Sequence, residues 1–293
     1  MDKVSVIIPF YNGVDWLCEA VQSVLDQTYK NFEIIVVNDG SPEDVTKFLE
    51  KYGDKIIYHK QINQGPAAAR NYAMKIATGD YFAFLDSDDI WLPEKTEKQI
   101  EFMKFCGAKW SHVGFYYWQP NNGKLKFISN KDDYGSIYLK TFISIKIATP
   151  CVVVNRSTFE EHPEIIFPED MRKGQDTAYF RELSKYYPIA LVREPLAKIR
   201  MRGNNSNTMA VSRFQLKASA YLKYKNNITI PRGIVRVYAI YYLYSKLFGS
   251  KTNKIKEFFA KCFWVIPYII ERVYVKRFIS NSSDKERYVL NKL

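Results

Sequence analysis

Three carboxylates fall within four positions at Asp86, Asp88 and Asp89, in the stretch FLDSDDIW. Apolar residues (Phe82-Ala83-Phe84-Leu85) lead into them, and Trp91 follows closely. Neighbouring like charges raise one another's pKa and cost stability unless a cation offsets them. A hard divalent cation, bound by one or two carboxylates and completed by substrate phosphates, would supply that offset. A helix N-terminus is the other reading, because Asp is favoured at N-caps and in first turns and a helix is expected from about Leu92. That reading accounts for one or two of the three.

The elements around the cluster decide where such a cation would sit. VSVII (4–8) reads as a buried strand ended by Pro9. Apolar residues at helical spacing follow over 14–25, then a second buried run, FEIIVV (32–37). Ser41 is a suitable N-cap and Pro42 a suitable first helical residue for a short helix ending near Tyr52. KIIYH (55–59), an alanine-rich helix over 66–77, and DYFAFL (80–85) complete four strand–helix alternations. That order predicts a parallel sheet with right-handed crossovers. Ligands in such sheets bind outside the carboxyl ends of the strands. The stretch after Pro9, Asp39, and the Asp86 cluster all fall at those ends.

Beyond Asp89 the pattern is mixed. Residues 91–105 read as a helix, 109–118 and 149–155 as strands, QPNNGK as a turn, 174–186 as a helix, and 188–192 and 196–200 as two short strands. From Phe214 on, aromatic-rich helical stretches run between breaks at Pro231, Gly249 and Pro267. There is no internal repeat and no low-complexity tract.

Charge divides the chain. Residues 1–212 carry 26 basic and 27 acidic side chains, whereas residues 213–293 carry 17 basic and 4 acidic. Such asymmetry points to a polyanionic partner for the last quarter, a nucleic acid or an anionic membrane surface. No nucleic-acid motif accompanies it. In KEFFAKCFWVIPYIIERVYVKRF (256–278) the longest uncharged run is Cys262 to Ile270, far short of the ~20 residues that a spanning helix needs. Basic flanks with aromatic residues between them suit a helix lying in a membrane interface, and 235–248 is similar. A core helix or an oligomer interface fits equally. Cys18, Cys106, Cys151 and Cys262 are scattered with no C-x-x-C pair, which argues against zinc. A strand-like run at Val4 with no leader before it, and scattered cysteines, lead us to expect a cytoplasmic protein with reduced thiols.

VSVIIPFYNG (4–13), IIVVNDGS (34–41), NQGPAAARNYA (63–73) and YFAFLDSDD (81–89), in this order and spacing, resemble the inverting family 2 glycosyltransferases. The resemblance covers roughly residues 3 to 208. It implies an α/β, Rossmann-like GT-A nucleotide-sugar-binding domain over 1–212, with a mostly helical basic extension over 213–293. Pro9, Tyr11 and Asn12 would line the uridine pocket, and Asp39 would bind the pyrimidine. Arg70 and Ser87 would lie near the nucleotide. Asp86 would lie near the ribose and, with Asp88, hold Mn2+ or Mg2+. Asp89 would cap the next helix. Taken alone, Asp39 also reads as a turn residue and Arg70 as a surface helix residue.

The resemblance also implies a base, taking a proton from the acceptor hydroxyl. MRKGQDTAYF (171–180) matches the family's Glu-Asp motif, with Gln175 for the Glu and Asp176 for the base. Without the family, Asp176 reads as a first-turn carboxylate on the helix dipole. KIRMRGNNSNT (198–208) matches a later motif in which Arg200 is the family's Arg, expected to bind the nucleotide-sugar, and Arg202 stands where many relatives have His. Arg cannot ligate a metal, so Arg202 would contact diphosphate oxygens. Asn204 and Ser206 are either acceptor or phosphate contacts or parts of an ordinary polar loop.

The implied activity is transfer of a sugar from a nucleotide donor, UDP-linked by preference, to a polyprenyl-linked saccharide or a cell-surface polysaccharide precursor. A peripheral position on the inner face of the membrane, and a homo-oligomer, are the expectations attached to the extension. Two other classes compete. A non-enzymatic nucleotide-sugar or lipid-binding protein on the same fold would not need both Asp88 and Asp176. A nucleotidyltransferase would need a glycine-rich phosphate loop and basic residues after the first strand, and FYNGVDW has neither.

Overall fold

Val, Ile and Phe dominate Val4–Phe10 (β1) and Phe32–Asp39 (β2), and every residue of β1 is buried. Burial on both faces is what a central parallel strand demands. The computed structural model describes residues 2–128, 133–142, 145–171, 173–202, 221–222, 226, 232–248 and 289–290. Ile57–Gln61 (β3), Tyr81–Phe84 (β4), Ile90–Trp91 (β5), Trp110–Gln119 (β6), Lys124–Ile128 (β7), Val152–Asn155 (β8), Ile189–Arg200 (β9) and Val289–Leu290 (β10) are the other described strands. The helices are Val14–Leu25 (α1), Thr46–Tyr52 (α2), Pro66–Ile76 (α3), Lys95–Cys106 (α4), Tyr138–Thr141 (α5), Ser157–Glu161 (α6), Gln175–Tyr186 (α7) and Arg232–Phe248 (α8).

The strands form one sheet in the order β10-β9-β6-β8-β4-β1-β2-β3, with β5 paired to β9 and β7 to β6. The expected parallel half, β3-β2-β1-β4, is present. β8 runs antiparallel between β4 and β6, and β6 pairs parallel with β9. Side-chain alternation along β1 feeds two cores. Val4, Val6, Ile8 and Phe10 pack with α1, α2 and α4, whereas Ile7 packs with α3 and α7.

Several boundaries differ from expectation, some through local turns and some through pairing with distant strands. β1 continues through Pro9 to Phe10 rather than ending at Pro9. Its ladder with β4 stops at Ile7, so the missing N–H of Pro9 costs no bond on that side. Ser41 caps no helix: its Oγ accepts from Glu43 N, and α2 starts at Thr46. Gly53–Lys55 turn as a short 3-10 segment, which delays β3 to Ile57. The helix expected from Trp91 starts at Lys95, because Ile90 and Trp91 pair with Lys198 and Ala197 of β9. QPNNGK is the turn of a β6–β7 hairpin. The two short strands expected at 188–192 and 196–200 are one strand, β9, with a bulge opposite Gly114 that accommodates Pro195.

The described residues fall into two compact units. The first holds the sheet and its covering helices, and the second holds Leu139–Phe142 and α8. In the second unit Ile234, Tyr238 and Tyr241 are buried, and Tyr238 Oη donates to the Phe142 carbonyl. α8 matches the helix expected over 235–248. Residues 256–278 lie outside the described residues. No described helix is long and apolar enough to cross a membrane.

Candidate active site

Asp39 ends β2 at the carboxyl edge and is buried. Its Oδ1 accepts from Gln61 Nε2 and Gln64 N, and its Oδ2 from Gly65 N, each at 2.8 Å. The carboxylate therefore fastens the loop that feeds α3. Next to it, Asn38 Oδ1 accepts from Ser41 N at 2.7 Å, which shapes the β2–α2 turn. On the neighbouring strand Pro9 is buried, while Tyr11 and Asn12 are exposed beyond its end. Gly13 follows at φ 83°, at the N-cap of α1, and has no side chain with which to cap that helix. Glu43 does so instead, accepting from Gly13 N at 2.8 Å and Val14 N at 2.9 Å. Glu43 was not found from sequence. The signal for it was a helix start with no capping side chain of its own.

After β4 the chain turns through Asp86–Asp89, closed by Asp89 N donating to the Asp86 carbonyl at 3.0 Å. Asp88 and Asp89 are buried, while Asp86 and Ser87 are partly open. Asp89 does not cap the following helix as expected. Its Oδ1 accepts from Arg200 N at 2.8 Å, because β9 runs beside this turn. Arg200 Nε donates to the Asp88 carbonyl at 2.8 Å, and its Nη2 pairs with Glu19 Oε2 at 2.5 Å. Its guanidinium also lies over the rings of Trp118 (4.4 Å) and Trp16 (5.5 Å). The Arg200 side chain thus holds the turn from behind. Arg202 is exposed and belongs to the second unit. Asn204 and Ser206 lie outside the described residues.

Arg70, on α3, is buried rather than a surface residue, and its Nη2 pairs with Asp86 Oδ1 at 2.5 Å. Its guanidinium lies 5.3 Å from the Phe167 ring centre, and its Nε has no partner among the described residues. Asp176 is the second residue of α7, after Gly174 at φ 76°. Its Oδ1 accepts from Thr177 N at 2.7 Å. Part of its surface stays open, yet it is densely surrounded by protein atoms. That burial raises its pKa; Thr177 N–H and the Arg70 cation pull the other way, and the Asp86 charge adds to the rise. Arg70, Asp86 and Asp176 are therefore one electrostatic group assembled from α3, the β4 end and α7. Gln175 Nε2 donates to the Met171 carbonyl at 2.5 Å, so this amide braces the loop before the helix. Asn71, also missed from sequence, ties the segment before α7 to α3. A lone amide among the alanines of α3 was its only signal.

Residues 5–162 match the family described as glycosyl transferase family 2. The chain belongs to that family. Among curated relatives, an uncharacterized glycosyltransferase of Rickettsia bellii is 36% identical over 214 residues, which are 72% of this chain and 31% of that protein. The chain spans about a third of the length of the Rickettsia glycosyltransferases it matches first. The putative teichuronic acid biosynthesis glycosyltransferase TuaG of Bacillus subtilis is 35% identical over 208 residues, covering 69% of this chain and 80% of TuaG. The Escherichia coli UDP-Glc:alpha-D-GlcNAc-diphosphoundecaprenol beta-1,3-glucosyltransferase WfaP is 44% identical over 118 residues, 40% of this chain and 47% of WfaP. Staphylococcus aureus TarS 1–349 in complex with UDP superposes with a TM-score of 0.61 at 16% identity, covering 94% of this chain and 92% of that one. Mannosyltransferase PcManGT of Pyrobaculum calidifontis, in complex with GDP-Man and Mn2+, gives a TM-score of 0.60, covering 96% and 88% at 16% identity. At such identities the likeness carries the fold alone, and that fold is GT-A.

Proposed function

We propose that this family 2 glycosyltransferase moves a sugar from a nucleotide donor, UDP-linked by preference, to a lipid-linked saccharide or cell-surface polysaccharide precursor, inverting the anomeric centre. The observation that carries the reading is the grouping of Arg70, Asp86 and Asp176 at the carboxyl edge of the parallel strands. The names of WfaP and TuaG, and the UDP bound to TarS, support the donor and acceptor classes.

In this reading Asp39 receives the pyrimidine, since three accepted bonds leave its Oδ2 room for another. Pro9, Tyr11 and Asn12 line the base, and Ser87 and Asp86 the ribose side. Arg200 serves the donor indirectly, by fixing the Asp88 backbone. Asp86 and Asp88 would hold Mn2+ or Mg2+. Their hard oxygen donors fit such an ion, and no group of three potential ligands occurs among the described residues, so substrate phosphates and water would complete the shell. The ion supplies neutralisation of the departing diphosphate.

Asp176 takes the proton from the acceptor hydroxyl as that oxygen bonds to the anomeric carbon. The bond to the diphosphate breaks, and its electron pair leaves with the nucleoside diphosphate. One displacement turns an α-donor into a β-linkage. The raised pKa of Asp176 suits a general base, which works best when its pKa approaches the working pH. We further propose a catalytic domain over 1–212 and a basic extension over 213–293 that rests on an anionic membrane surface or on a second copy of the chain. The first of these would make the enzyme peripheral on the inner membrane face.

The test is release of nucleoside diphosphate from UDP-glucose, UDP-N-acetylglucosamine and GDP-mannose, with diphosphoundecaprenol-linked N-acetylglucosamine as acceptor. Release that EDTA stops and Mn2+ or Mg2+ restores is the expected result. UDP binding with no release from any donor would favour a non-enzymatic binding protein on this fold.

A further inference from the structure

We propose that Asn71 is a positioning residue that registers the helix carrying Asp176 against the helix carrying Arg70. The proposal rests on the assignment of Asp176 as the base. Asn71 is buried on α3, one residue from Arg70. Its Nδ2 donates to the Phe167 carbonyl and to Glu169 Oε1, both at 2.8 Å, and its Oδ1 accepts from Phe167 N at 2.9 Å. One side-chain amide thus satisfies both backbone groups of Phe167. A buried segment outside regular structure must find such partners somewhere. An amide presents a donor and an acceptor together; alanine presents neither, and aspartate only acceptors.

Phe167, held this way, touches all three parts of the site. Its ring stacks on Tyr179 at 4.1 Å and meets Phe84 edge-on at 5.1 Å, while Arg70 lies over it at 5.3 Å. Tyr179 is one turn beyond Asp176 on α7, and Phe84 stands two residues before Asp86. Asn71 therefore sets the spacing between the donor-side carboxylates and the base without reaching either. A brace with no bearing on the reaction would change stability alone. A positioning residue also separates chemistry from donor binding.

The test compares Asn71→Ala, Asn71→Asp and Glu169→Ala in the full chain. It reads UDP affinity by calorimetry, nucleoside diphosphate release at saturating substrates, and amide hydrogen exchange over 163–180. Asn71→Ala should lower kcat about 10- to 100-fold, the scale of a reacting group displaced by about 1 Å, with UDP affinity within about twofold of wild type. Exchange should quicken at the Phe167 and Glu169 amides and in the first turn of α7. Asn71→Asp should lower kcat like Asn71→Ala and quicken exchange in the first turn of α7, since it loses both donated bonds, while the Phe167 amide, whose acceptor it keeps, stays protected. Glu169→Ala removes one bond at an exposed residue, so it should fold and shift kcat and exchange in the same direction by less. Wild-type kcat in the folded variants, equal losses in kcat and UDP affinity, or unchanged exchange would overturn the proposal. Absence of release by the wild type with every donor would overturn the assignment of the base and the positioning role with it, while the exchange contrast would still report the clamp.

Discussion

Asp176 and Lys95 show how burial sets the behaviour of single side chains. Asp176→Asn keeps size and the bond from Thr177 N but removes the basic oxygen. It should lower kcat by ~10²–10⁴, the usual worth of a general base, with UDP affinity unchanged. Steady-state release and calorimetry measure the two, and a collapse of UDP affinity with kcat intact would make Asp176 a binding residue. Lys95, at the start of α4, is wholly buried; its Nζ sits 3.9 Å from the Trp91 ring centre and has no hydrogen-bond partner among the described residues. Burial lowers its pKa from 10.5 to about 7, only partly opposed by the Cys151 thiol beside it. Between pH 7 and 10.5 the unfolded chain carries a proton here that the folded chain does not. Stability attributable to this group therefore rises with pH across that window, by about 1.4 kcal/mol per pH unit, and the full penalty is present below it. Lys95→Met should raise stability at pH 7 and remove this slope. Urea unfolding from pH 7 to 9 checks both, and an unchanged slope would assign the pH dependence to other groups.

At the scale of elements, the bulge joining β6 to β9 carries the second half of the site. A Cβ on Gly114 would lie 2.7 Å from the Arg193 carbonyl oxygen and 2.9 Å from that of Glu194. Both obstacles are backbone, so neither can swing aside. Gly114→Ala should destabilise the protein by ~1–3 kcal/mol, the common cost of overpacking. β9 ends at Arg200, whose N–H and guanidinium hold Asp89 and the Asp88 carbonyl. The folded fraction of the variant should therefore also lose turnover. Thermal unfolding and release assays measure the two effects, and a variant as stable as wild type would mean that the bulge relaxes. The sequence predicts two short strands, 188–192 and 196–200, flanking Pro195, which lacks the N–H of a ladder. Only the partner strand reveals that it sits in a bulge where no such bond is needed.

For the whole molecule, the dominant feature is 17 basic against 4 acidic side chains in residues 213–293. If this extension rests on anionic lipid, each basic residue near the surface contributes ~1 kcal/mol, screened within a Debye length. Co-sedimentation with vesicles containing phosphatidylserine should then fall steeply with salt and with charge reversal at Lys261, Arg272, Lys276 and Arg277. Phosphatidylcholine vesicles should retain a small, salt-resistant fraction through Phe263 and Trp264. Binding that ignores salt and charge reversal, or no binding, would make the extension a packing or oligomer element.

The parallel half of the sheet and the edge at which the carboxylates gather were legible without any knowledge of the packing. Hydrophobic runs, their periods and their order are local properties, and they suffice for strands buried on both faces. The same local order carried the family resemblance. Tertiary structure alone decided what each polar group holds. Asp89 serves Arg200 across 111 residues, Asn71 serves Phe167 across 96, and Glu43 caps α1 from 30 residues away. It also decided that Ile90 and Trp91 join β9 instead of opening α4. None of these partners has a local signature. A buried donor or acceptor must be satisfied, but which distant group satisfies it follows only from how the strands and helices pack.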